Sequence, residues 1–340
     1  MERKDVRLSL PSKGRLGQET LDFLDACALK VYRPNPRQYA AEIPALPAVT
    51  VMFQRPGDIV ASVRQGSVDF GITGADLLAE KNTGDGSILT LHDALGYAHC
   101  SLSLAVPEAW SHVTTLAGLA DQAKSMAASG RPLRIATKYP RQTGRFLDDR
   151  HIGPYTLIDT EGTLEIAPAI GYADLIADLV SSGTTLRDNH LRPLEEGTIL
   201  DSQACLIANR NNIKSQAQVL AAGLQLLEYI EAHLRAQNCY LVLANIRGDS
   251  PEEVAKKMAG QTHLAGLQGP TISPVVPSNG ALRGSRWHAV NIVVRKDRLT
   301  QAIAELRAIG GSGVVVSPVT YIFEEEPERS KALLATLEQG

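Results

Sequence analysis

Val68-Asp69-Phe70-Gly71-Ile72-Thr73-Gly74-Ala75-Asp76-Leu77-Leu78-Ala79-Glu80 is the stretch that decides the fold. Val68–Ile72 is a short apolar run of strand length, Thr73-Gly74 breaks it, and Ala75–Glu80 reads as a helix. The same alternation extends outward in both directions. Val6–Leu10 and Val49–Phe53 read as strands. Gly17–Ala28, with Leu21, Leu24 and Ala28 on one face, and Ile59–Arg64 read as helical segments. A β-α-β-α rhythm of this kind predicts α/β layers around a mostly parallel sheet.

A second α/β unit follows. Ser101–Val106, Leu133–Ala136, Thr156–Ile158, Ile166–Ala167 and Leu200–Ala208 read as strands, and Leu116–Ala128, Arg141–Asp149 and Tyr172–Val180 as helices. The domain boundaries expected are 1–97 with 192–225 for a first lobe and 98–191 for a second. Two such lobes joined by crossovers place a ligand cleft at the strand C-termini. Ser215–Ala236 reads as a long connecting helix, with Leu220, Leu224, Leu227 and Ile230 at core spacing. From 237 to 340 the predicted order is β-α-β-β-α-β, the split, ferredoxin-like arrangement. Ser250-Pro251-Glu252-Glu253 opens its first helix with a capping-box spacing, and Asp297 is positioned to cap its second.

Composition narrows the function. The chain has 340 residues, enough for two or three domains, and 34 Lys+Arg against 37 Asp+Glu give a net charge of −3. Near-neutral charge argues against nucleic-acid binding driven by phosphate neutralisation. No run approaches the apolar length of a membrane span, and Met1–Leu10 is too short and polar for a signal peptide, so a cytoplasmic protein is expected. Cys27, Cys100, Cys205 and Cys239 are far apart and read as free thiols. The eight histidines show no metal-binding spacing, which argues against zinc.

Three constellations suit phosphates. Ser182-Gly183-Thr184-Thr185 is a small, hydroxyl-rich turn whose amides and hydroxyls can surround a phosphate monoester. Asp174 and Asp178, at i and i+4 of the predicted helix, share a face, and a nearby carboxylate suits the cis hydroxyls of a ribose. Gly183 also reads as a helix stop, with Thr184 or Thr185 capping the next helix. Lys13-Gly14-Arg15-Leu16 forms a cationic loop after the first strand, fit for a pyrophosphate but lacking Walker A spacing. Arg55, Gly74 and Lys138 follow other strands, each with a plain reading as a loop residue. Anion-binding features at successive strand ends fit a substrate with two separate phosphate groups.

Pro11–Leu16, Val68–Leu78 (VDFGITGADLL), Arg134–Pro140 (RIATKYP) and Glu161–Leu186 resemble the ATP phosphoribosyltransferase family, which opens histidine biosynthesis. Gly266–Val275, Trp287–Val290 and Gly310–Pro318 resemble the C-terminal domain of its long, self-regulated form. The resemblance implies a two-lobe catalytic part like that of periplasmic binding proteins and an ACT-like regulatory domain. It implies phosphoribosyl transfer from phosphoribosyl pyrophosphate to N1 of ATP, with Mg²⁺, inhibition by histidine, and a homo-oligomer of hexamers and dimers. By position it implies that Glu161, Ala173 and Asp174 meet the ribose and that Ser182, Gly183, Thr184 and Thr185 meet the 5′-phosphate. Lys13, Gly14, Arg15, Leu16, Arg55 and Gly74 would lie near the pyrophosphate or nucleotide, with Lys13, Arg55 and Asp174 catalytic. Leu267 and Thr271 would line the histidine site. His112–Gly130 and Pro277–Arg286 are longer than the family pattern. The competing class is a two-lobe small-molecule binder or a catalytically silent subunit, which the two-lobe pattern alone does not separate from an enzyme.

Overall fold

A computed structural model describes residues 5–35, 37–160, 162–276 and 286–339. The chain divides into two compact units, residues 1–227 with 332–340, and residues 228–331.

The strands of the first unit are, in chain order, β1 (Val6–Pro11), β2 (Ala40–Glu42), β3 (Val49–Gln54), β4 (Phe70–Gly74), β5 (Ile88–His92), β6 (Cys100–Pro107), β7 (Leu133–Thr137), β8 (Tyr155–Asp159), β9 (Leu175–Val180), β10 (Leu191–Ser202) and β11 (Ala204–Asn209). They form two sheets, β2-β3-β1-β4-β11-β5 in lobe I and β10-β6-β9-β7-β8 in lobe II. β1 runs parallel to β3 and β4, and β7 parallel to β8 and β9. The central strands are apolar on both faces because helices cover both, so Leu8, Val51, Phe70 and Ile72 are buried. Helix Ala217–Gln237 comes so close to β4 that a Cβ on Gly223 would sit 3.1 Å from the Phe70 ring. In lobe II, Leu104, Ile135, Phe146 and Leu175 fill one side of the sheet, and Ala136, Leu164, Ile176 and Leu186 the other.

The expected two-lobe α/β plan is therefore present, with local differences. Tyr172–Val180 is not a helix: it contains strand β9, paired with both β6 and β7. Ile166–Ala167 is not a strand but the junction of a 3-10 turn, Leu164–Ile166, and a short helix, Ala167–Ile170. β10 pairs with β6, so the chain returns to lobe I at Gln203 rather than at 192.

The second unit contains β12 (Cys239–Arg247), β13 (Thr271–Pro274), β14 (Trp287–Arg295) and β15 (Gly311–Pro318), ordered β13-β14-β12-β15 and antiparallel throughout. This is the ferredoxin-like topology expected. Val242, Ala244 and Ile246 alternate inward against helices Pro251–Ala259 and Leu299–Ala308. Ser250 caps the first helix by accepting from Glu253 N, while Glu253 reaches back to Asp249 N. Asp297 does not cap the second; its carboxylate is taken by Arg295 at 3.0 Å. The final strand ends at Pro318, and beyond it Tyr321 packs tilted against His233 while Phe323 meets Tyr229 edge-on, ring centroids 6.2 and 6.0 Å apart. Most of the Pro277–Arg286 loop lies outside the described residues. Among the described residues no helix is long and apolar enough to cross a membrane, and the four cysteines are free.

Candidate active site

Parallel strands deliver their C-termini to one edge of a sheet, where the departing loops are free to hold ligands. In lobe I, Pro11 pairs with Gln54 and Ser12 N donates to Gln54 O at 2.8 Å, so Lys13 and Arg55 leave adjacent strands side by side. Both are exposed, and each is the N-cap of a helix, Gly14–Ala26 or Pro56–Arg64. Two cations at two helix N-termini make an anion-attracting corner. Gly14 holds φ +74°, a conformation that suits glycine. Arg15 is paired with Glu19 at 2.6 Å, and Leu16 is half-buried.

Gly74 has a different task from the anion binding expected of it. The amides that follow it are already occupied: Ala75 N donates to Gln203 O and Asp76 N to Ser202 Oγ. A Cβ at Gly74 would collide with the Asp76 carboxylate, so the glycine makes room for that buried side chain.

In lobe II, β9 runs out into Ser182-Gly183-Thr184-Thr185, and Gly183, at φ +69°, is the N-cap of helix Thr184–Asp188. Gly183 therefore opens this helix instead of closing an earlier one, and Thr184 and Thr185 are its first residues, not its caps. Ser182 Oγ lies 3.1 Å from Thr184 Oγ1, and the hydroxyl residues are exposed. Arg187 leans over the turn, donating to Thr184 Oγ1 at 3.2 Å and to Ser182 O at 3.4 Å. Sequence reading missed this cation, although its i, i+3 spacing from Thr184 puts both on one helical face.

One aspartate, Asp174, precedes β9 and the other, Asp178, lies within it toward its far end. Asp174, with Ala173, precedes the strand. It is buried, and its carboxylate accepts from Arg134 N at 2.9 Å, Arg134 Nη2 at 3.0 Å and Arg131 Nη1 at 3.0 Å. Burial works to raise its pKa, but the Arg134 and Arg131 partners outweigh it and hold the carboxyl below its ordinary value. The six residues of β9, about 20 Å at roughly 3.3 Å per residue, lie between this site and the turn. Asp174 and Ala173 are therefore not brought to Ser182–Thr185. Asp178 is near the other end of β9, on the face it shares with Ile176 and Val180. Burial raises its pKa, opposed by the Leu179 amide and by Lys138, which is exposed at the end of β7. Glu161 lies outside the described residues.

The two edges meet. Tyr139, following Lys138, donates from its hydroxyl to Asp76 Oδ2 at 2.6 Å. Beside this contact a cavity of about 400 Å³ is lined by Ala75, His99, Cys100, Ser181, Asp201 and Ser202. Among the described residues no cluster of three or more His, Cys, Asp and Glu side chains suits a metal ion. In the second unit, Leu267 and Thr271 do come together, around a cavity of about 440 Å³ shared with Asn291, Phe323 and Glu324. Asn291 Oδ1 is buried without a hydrogen-bond partner among the described residues.

Comparison with known proteins adds to this geometry. Residues 55–235 match the family described as ATP phosphoribosyltransferase, and residues 236–321 match the HisG C-terminal domain. ATP phosphoribosyltransferase 2, chloroplastic, of Arabidopsis thaliana is 44% identical over 98% of this chain and 81% of its own length. ATP phosphoribosyltransferase of Brucella suis is 41% identical over 65% of this chain and 97% of its own length. Among solved structures, the ATP phosphoribosyl transferase (HisG:HisZ) complex from Thermotoga maritima aligns with a TM-score of 0.49 and 25% identity, covering 66% of this chain and 98% of that one.

Proposed function

This chain belongs to the ATP phosphoribosyltransferase family, and we propose that its two lobes each hold one end of the reaction at the edges described above. The enzyme joins N1 of the ATP adenine to the anomeric carbon of phosphoribosyl pyrophosphate. The bond from that carbon to pyrophosphate breaks, and phosphoribosyl-ATP, the first intermediate of histidine biosynthesis, is released.

The exposed turn Ser182–Thr185 with Arg187 above it carries this reading, because it offers hydroxyls, helix-start amides and a cation to one phosphate. Gripping the 5′-phosphate there spends binding energy on orienting the anomeric carbon. Asp178, at the same end of β9, replaces Asp174 as the carboxylate for the ribose hydroxyls. Lys13 and Arg55 neutralise pyrophosphate or nucleotide phosphates in the opposite lobe. Adenine N1 is a weak neutral nucleophile, so positioning supplies much of the rate. In-line displacement needs no covalent enzyme nucleophile and inverts the anomeric carbon.

Magnesium suits the site as an ion carried by the diphosphate. Mg²⁺ characteristically takes one or two carboxylates plus substrate phosphates, and Asp93 and Asp201 are the candidate carboxylates of the cavity. Bound there, it would supply neutralisation of the leaving group.

The cavity around Leu267, Thr271 and Asn291 is the proposed histidine site, supported by its buried orphan acceptor and the Glu324 carboxylate. Homo-oligomerisation, as hexamers and dimers, is supported by Leu243 and Val315, both exposed on the uncovered face of that unit's sheet. Free cysteines support a reducing aqueous compartment, and the relatives in Arabidopsis thaliana carry chloroplastic names.

Mixing the protein with ATP, Mg²⁺ and phosphoribosyl pyrophosphate tests the reaction. Alkylation at N1 changes adenine absorbance, whereas a binder or a silent subunit leaves the spectrum a sum of its parts.

A further inference from the structure

The chain crosses between lobes I and II at residues 93–99 and at Gln203, and Gly96 N donates to Gln203 Oε1 at 3.0 Å. Two neighbouring crossings lie at one place along the lobes and need contacts elsewhere to fix the angle between the two substrate-bearing edges. Helix Ala75–Lys81 supplies further contacts, through both of its carboxylates. Asp76 is buried and uses both oxygens: Tyr139 Oη donates to Oδ2, and Ser202 Oγ donates to Oδ1 at 2.6 Å. One turn later, Glu80 accepts from Arg141 N and Gln142 N, each at 2.9 Å, and Gln142 Nε2 donates to Ala79 O at 2.7 Å.

The placement of Glu80 has no use within its own helix. It sits in the last turn, where a negative charge opposes the helix dipole. Helix Pro140–Asp149, in contrast, lacks what Glu80 provides. Its N-cap, Tyr139, offers no side-chain bond, and its first turn contains no acid. The free amides of that turn are satisfied by a carboxylate from the other lobe.

We infer that helix Ala75–Lys81 is an inter-lobe clasp, and that Asp76, Glu80 and Tyr139 are positioning residues that fix the angle at which the phosphoribosyl end and the nucleotide end face one another. The inference rests on the function proposed above. Glu80 and Tyr139 commit their side-chain hydrogen bonds to the opposite lobe, so loosening the clasp reduces the rate of joining while each substrate still binds to its own edge. Misplacement of reacting groups by about 1 Å costs up to about 100-fold in rate.

The test uses the full-length protein, its Tyr139→Phe and Glu80→Ala variants, steady-state kinetics and amide hydrogen exchange. Tyr139→Phe keeps the buried ring, and Glu80→Ala alters a half-exposed side chain, so both are expected to fold. The expected result is faster exchange at residues 140–142, kcat lower by about tenfold, and KM for both substrates within about twofold of wild type. Faster exchange with unchanged kcat, or raised KM with unchanged kcat, overturns the positioning role. Unchanged exchange in both variants overturns the clasp itself. Absence of turnover in the wild type would remove the proposed function instead, and that outcome is separate because exchange reads the clasp without any reaction.

Discussion

Asp174 and Asp178 are four residues apart, and their environments assign them opposite work. Asp174 is surrounded by donors from Arg134 and Arg131, so Asp174→Asn should lower stability by about 2 kcal/mol while leaving kcat near wild type below the melting range. Its folded pKa is depressed, so the stabilisation is present at neutral pH and is lost as pH falls through that depressed value. Wild type and Asp174→Asn should therefore converge in stability under strong acid, measured by denaturant titration across pH. Asp178→Asn should melt close to wild type and lose most of kcat/KM for phosphoribosyl pyrophosphate. Because burial raises the Asp178 pKa, the acid limb of wild-type kcat/KM should lie above the ordinary aspartate range. The sequence showed both carboxylates and the hydroxyl turn, but not which carboxylate is near the turn. That distinction depends on where β9 begins and ends, which no spacing of two aspartates reveals.

Strand β9 explains the principal misreading among the elements. Its core, Leu175-Ile176-Ala177, is apolar on consecutive residues because both faces of lobe II's sheet are covered. Without polar alternation, such a run is indistinguishable by period from a short buried helix. Strands β1, β3, β4, β6, β7 and β8 and the ferredoxin-like order of the second unit were legible because glycine, proline and capping residues mark their ends, as Ser250 does for helix Pro251–Ala259, whereas β2 and β5 were not read and β10 and β11 were read as the single strand Leu200–Ala208. Contacts between elements were not legible: Gly74 looked like an anion-binding turn, yet its lack of a side chain accommodates Asp76. Gly74→Ala should cost about 2 kcal/mol through the hydrogen bonds that Asp76 loses. In a Tyr139→Phe background the cost should be smaller, because one of those bonds is already gone, and a thermal-melt double-mutant cycle measures the difference.

At the scale of the whole molecule, catalysis is attributed to the two lobes and histidine sensing to residues 228–331. Because residues 332–340 group with the first unit, truncation would remove part of that unit, so a point substitution separates the two activities better. Thr271→Val should raise the histidine concentration giving half-inhibition by about tenfold and leave uninhibited kcat and KM unchanged, as read by initial rates. The two-lobe plan was visible in the alternation of strands and helices, whereas the meeting of the lobes through Tyr139 and Asp76 depends on groups 63 positions apart. The turn after β9 is the proposed holder of the sugar phosphate. Calorimetric titration of phosphoribosyl pyrophosphate into wild type and Thr185→Val tests it most directly. The expected result is a Kd weaker by about tenfold in the variant, with its thermal midpoint preserved. Equal affinity in the two proteins would contradict it.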